Sequence, residues 1–173
     1  MGVEAMEHRA PRRLASISCV ALAVSLTGCD LVGPDDRFEA IRDLARAHDL
    51  WVDAGIADYE LRLRRSCFCP IEYLGPVILT VEGDSVTAAV YEADGEPVPA
   101  DLMEVFPTVE GLFEVLAEAL ASRAERIDVS YDPSLGYPRD LYIDRAAFIA
   151  DEEFGFTATL SLALPRASSA PIF

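Results

Sequence analysis

The sequence predicts an α+β fold: a largely antiparallel sheet of about five to six strands, with two helices packed on one face in a two-layer sandwich. Three observations predict it. Two segments carry apolar residues at helical spacing, several shorter ones alternate apolar with polar residues, and the alternating segments are joined by short turns.

The first helix is expected from about residue 36 to 53. Asp36-Arg37-Phe38-Glu39 offers an N-cap acid with a glutamate three residues on, and Phe38, Ile41, Leu44, Ala45 and Trp51 or Val52 then recur at helical spacing up to Gly55. Tyr59 to Arg64 alternates apolar with charged residues, the pattern of a strand with one wet face. Val77 to Val81 and Ser85 to Tyr91 flank Glu82-Gly83-Asp84, a hairpin in which Gly83 supplies positive φ. The segment Glu92 to Pro107, with Gly95, Pro97, Pro99 and Pro107, reads as mostly irregular.

Thr108 is placed to cap a second helix whose Val109, Leu112, Phe113, Val115, Leu116, Ala119 and Leu120 form a broad apolar face, with Glu110, Glu114 and Glu118 on its wet side. Arg126 to Tyr131 and Arg139 to Asp144 are strands joined by the turn Tyr131 to Pro138. Phe154 to Leu164 supplies the last strand, and the order is α-β-β-β-α-β-β-β.

The N-terminus has an export layout. Arg9, Arg12 and Arg13 precede an apolar run from Leu14 to Leu26 that is too short for the roughly 20 residues of a spanning helix. Leu26-Thr27-Gly28-Cys29 resembles the bacterial lipobox. It implies removal of residues 1–28 and lipidation of Cys29, with acyl chains as the anchor. Residues 29–36 then read as a tether, 37–165 as one globular domain and 166–173 as a tail, which places the chain in the bacterial cell envelope on the periplasmic or extracellular side.

A formal net charge of −16 argues against nucleic acid as a partner and leaves the membrane, reached through lipid, and an envelope protein. All 14 basic residues are arginine, and the acids are dispersed, as on a solubilising surface. With Cys19 leaving in the leader and Cys29 lipidated, Cys67 and Cys69 are the remaining thiols. A local disulfide is the favoured reading. On a regular strand residues i and i+2 lie about 6.5 to 7 Å apart, so the bridge requires a bend, which Pro70 suits.

Free or intermolecular thiols and a metal site stay open, although His48 is the one histidine left for a metal. Arg64 and Arg65 would favour thiol exchange by lowering a thiol pKa, or simply face solvent or pair with acids. The Tyr131 to Pro138 turn needs no ligand to explain it, and Tyr131, Asp132, Tyr137 and Pro138 form a candidate interaction surface. No nucleophile motif, zinc-helix motif or phosphate loop is present, so no catalytic residue, metal or cofactor is assigned.

Trp51 and Tyr59 ahead of Cys67-Phe68-Cys69, Thr108-Val109-Glu110-Gly111-Leu112-Phe113, Tyr131-Asp132-Pro133 with Gly136-Tyr137-Pro138, Ile143-Asp144 and Asp151-Glu152-Glu153 together resemble a bacterial family, the domain of unknown function DUF6174. The resemblance implies export and a small α+β domain, and it carries no settled activity. The expected function is a non-enzymatic binding domain tethered through Cys29. The alternatives are a thiol redox or metal-linked role centred on Cys67 and Cys69, and a small carboxylate-based hydrolase.

Overall fold

The computed structural model describes residues 34–83, 85–146, 149 and 151–162 of the chain. The leader, Cys29, most of the tether, Asp84 and the tail lie outside the described residues. Helix α1 spans Pro34–Ala54 and α2 Val109–Ala121; the strands are β1 Tyr59–Cys67, β2 Val77–Glu82, β3 Ser85–Tyr91, β4 Arg126–Tyr131, β5 Pro138–Asp144 and β6 Phe154–Leu162. Among the described residues no helix is long and apolar enough to cross a membrane.

The six strands form one antiparallel sheet in the order β3-β2-β1-β6-β5-β4, so the fold is the α+β arrangement that alternation and short turns predict. The two-residue period puts Tyr59, Leu61 and Leu63 of β1 on the buried face, in register with Val81, Leu79 and Val77 of β2, while Leu63 lies opposite Ala158 of β6. Each such leucine or valine contributes about 1.5 to 3 kcal/mol through burial. The other face is polar and carries the Arg62–Glu92 pair, two bonds of 2.7 Å each, which holds the Glu92 carboxyl below its usual range.

Helix α2 begins as its sequence demands: Thr108 Oγ1 accepts from the Gly111 amide at 3.2 Å, and Leu112, Phe113, Leu116 and Ala119 are buried. The Val109 amide donates to the Tyr59 hydroxyl at 3.2 Å, so a core tyrosine satisfies one of the helix's orphan donors. The segment expected to be irregular contains a 3-10 helix, Ala100–Val105, that buries Leu102.

The buried face of α1 keeps only Leu44 and Trp51 of the expected stripe. Phe38 is 65% exposed, Ile41, Ala45 and Val52 are exposed too, and the core contact is made by Ala47 and Trp51 with Leu44 half-buried. Gly136 explains the choice. It sits at φ +78°, and a Cβ there would run into the Ala47 carbonyl oxygen and Leu50 Cβ, so the β4–β5 turn presses its backbone onto this part of the helix. Trp51 then stacks edge-on against Tyr59 and Tyr137, at centroid distances of 5.5 and 6.5 Å.

Candidate functional site

The site begins at the outer edge of β4. This strand ends the sheet and, among the described residues, pairs only with β5. In an antiparallel ladder alternate residues turn N–H and C=O away from the partner, so β4 presents unpaired backbone groups along that edge.

Beside the edge lies α1. Asp36, Glu39, Asp43 and Leu50 follow one another by three, four and seven residues, which places them on one helical face. That face and β4 enclose an open cleft of about 630 Å³. Ile127, Val129, Tyr131 and Leu50 give it an apolar wall, and Asp36, Glu39, Asp43 and Asp132 give it four carboxylates, while Asp128 turns its carboxylate to the other face of the sheet.

The single arginine lining the cleft, Arg46, is 3.1 Å from Asp43. Asp128 pairs with Arg126 at 2.6 Å, and Asp132 accepts from the amides of Ser134 and Leu135, both at 2.9 Å. Among the described residues Asp36 and Glu39 have no ion pair. Burial, and secondarily the Asp43 charge, push the Tyr131 phenol up to about 12, so it carries its proton at neutral pH. The arrangement offers hydrogen-bonding backbone, negative charge and an apolar floor.

The four residues of the expected interaction surface are divided by the fold. Tyr131 and Asp132 line the cleft. Tyr137 and Pro138 are buried, and the Tyr137 hydroxyl accepts from the Leu160 amide at 3.3 Å. The tyrosines are therefore not displayed together, because one is needed to fill the space under α1.

The sulfurs of Cys67 and Cys69 meet at bonding distance, with Cα atoms 5.3 Å apart, shorter than a regular strand allows; β1 ends at Cys67 and the chain bends there. The bend pushes Phe68 out to 80% exposure, with Ile71 at 82% beyond it. Arg64 is exposed, whereas Arg65 is half-buried and pairs with no acid among the described residues. Its guanidinium lies 5.5 and 5.7 Å from the ring centroids of Phe154 and Phe156, its Nε has no hydrogen-bond partner among the described residues, and desolvation lowers its pKa.

His48 bridges the helices, its Nε2 2.9 Å from Glu110 Oε2 and its ring 4.7 Å from Phe113. Among the described residues no three His, Cys, Asp or Glu side chains are grouped to hold a metal ion. Cys29 lies outside the described residues.

The cleft escaped the sequence because its walls lie some 90 residues apart. The available signal was the acidic triplet at helical spacing. Much of the distinctive sequence instead builds the core: Trp51, Tyr59 and Tyr137 form its aromatic cluster, Thr108 caps α2, and Asp132 folds the turn.

A family model described as a family of unknown function, DUF6174, matches residues 43–161. Neither the curated proteins nor the solved structures gave a match. The chain belongs to the DUF6174 family.

Proposed function

We propose that this member of DUF6174 is a non-enzymatic binding domain of the bacterial cell envelope, held at a membrane by lipid on Cys29. The observation that carries the binding reading is the acidic cleft beside the open edge of β4: it combines the backbone, charge and apolar contacts from which recognition surfaces are made.

The tether reading draws support from one end of the sheet. The Arg37 guanidinium donates to the Leu120 carbonyl at 2.9 Å, so the start of α1 lies beside the end of α2, and the chain then enters β4. Strand alternation puts the end of β1, with the exposed Phe68 and Ile71, at that same end. Pro34 follows Cys29 by five residues, a reach of at most about 17 Å. A lipid on Cys29 would bring this end, with Phe68 and Ile71 exposed on it, toward the bilayer.

Two measurements test the proposal. Cys29→Ser should release the protein from membranes, and continued lipid labelling of that variant would sink the anchor. A photo-crosslinking residue at Leu50 in living cells should capture one envelope partner that the same residue at Thr87, on β3, does not. Equal capture from both positions would end the binding assignment to the cleft.

A further inference from the structure

We propose that the cleft receives an extended, basic polypeptide segment, which adds to β4 as a seventh strand beneath the acidic face of α1. This rests on the binding-domain reading and names what is bound.

The open edge requires an extended partner. Only a chain in β conformation can match outward N–H and C=O groups that recur along β4 every second residue. The helix above it selects the charge. Glu39 and Asp43 are four residues apart, a rise of about 6 Å along α1, while same-face residues of a strand repeat about every 6.8 Å. Arginine or lysine at alternate positions of the added strand, on the face shared with Ile127 and Val129, therefore meets successive carboxylates, and the residues between them turn to the opposite face of the sheet, beside Ser130. With Asp36 and Glu39 in no ion pair among the described residues and the one guanidinium lining the cleft already beside Asp43, the surplus is negative.

The same surplus disfavours a second copy. Edge-to-edge pairing of two β4 strands would bring two acidic helix faces together, and like charges so placed repel. One feature thus attracts a basic strand and rejects self-association.

The test uses the full chain in detergent and a blocked octapeptide of alternating arginine and valine. Two control peptides have the same length: one replaces two valines with proline and keeps the charge, the other replaces arginine with glutamate. The arginine peptide should bind, and alternate amides of residues 126–131 should exchange at least about tenfold more slowly. The proline peptide should bind about tenfold more weakly, because each lost ladder bond removes part of the affinity. The triple variant Asp36→Asn, Glu39→Gln, Asp43→Asn should lose about tenfold at unchanged Tm.

If the proline peptide binds equally well without protecting β4, charge alone is at work; the inference fails and the binding-domain reading stands. Slow β4 amides in the free monomer, or in a dimer formed without peptide, would mean that this chain covers its own edge, and would also overturn it. If the arginine peptide does not bind while Leu50 still captures a partner in cells, the occupant is of another class. If both fail, the binding-domain reading falls as well.

Discussion

The two edges of the sheet are treated differently. At β3 the chain returns along the edge: Val98 donates its amide to the Ala89 carbonyl at 3.0 Å, Tyr91 to Glu96 at 2.9 Å, and Val90 forms a bridge with Pro97. The returning segment contains Pro97 and Pro99, which have no N–H to offer a further strand. At β4, among the described residues, no strand pairs with the outer edge, and acids stand beside it. An uncovered edge invites aggregation and is ordinarily blunted. A domain that closes one edge with backbone and guards the other with charge has left the second open to a partner of opposite charge.

The most damaging way to break this contrast is to lift α1 from β4. Gly136→Val adds a Cβ where the Ala47 carbonyl already sits and imposes a branched side chain at φ +78°. The expected cost is about 3 kcal/mol or more, read from denaturant unfolding. Loss of the cleft should accompany it, with α1 amides exchanging faster while β1 and β2 stay protected.

The covered edge is opened by weakening its return segment. Val98 is buried, and Val98→Ala should cost about 2 kcal/mol and raise exchange at Tyr91 and Val98 before any other amides. If β3 gains an exposed edge in this way, the variant should aggregate more readily than wild type on heating. The triple carboxamide variant of α1, which removes the charge beside β4, should also aggregate more readily. Wild-type behaviour of that variant on heating would mean that charge does not guard this edge.

These edges were unequally legible in the sequence. The strands were readable because Tyr59 to Arg64 and Thr157 to Ser161 alternate, and hydropathy follows the two-residue period of a half-buried sheet. Helix α2 was readable from Thr108 and a broad leucine face. The buried side of α1 was not, because size misleads: Phe38 and Ile41 are large and exposed, whereas small Ala47 is buried where the turn at Gly136 meets the helix. Tyr131 and Tyr137 look alike in the turn, yet one lines the cleft and the other fills the core. Pro97 and Pro99 suggested irregular chain, and only pairing with β3 reveals them as an edge cover.

Cys67 and Cys69 lie at the end of a central strand, away from both edges. A bridge across so few residues removes little entropy from the unfolded chain, so replacing both cysteines with serine should cost about 1.5 kcal/mol. Peptide binding at β4 should be unchanged. A loss of binding larger than the loss of stability would move the functional centre from the edge to the cysteine pair.

The smallest expected effect probes the cleft from inside. Burial first, and Asp43 second, raise the Tyr131 phenol to about 12, against about 10 in an unfolded chain. The folded state therefore holds this proton more tightly. The resulting stability is full below pH 10 and is lost as pH rises through 12. Because the side chain is partly open to water, the effect is discounted to about 1 kcal/mol. Tyr131→Phe should abolish that loss and remove the latest step of the phenolate absorbance titration, while Tyr91, also raised by burial, still titrates late. A bound basic strand places positive charge beside the phenol, and positive charge favours the phenolate. Saturating arginine peptide should thus shift the Tyr131 step to lower pH, whereas the proline peptide, seated without the ladder, should shift it less. An unmoved step on saturation would place the peptide away from β4.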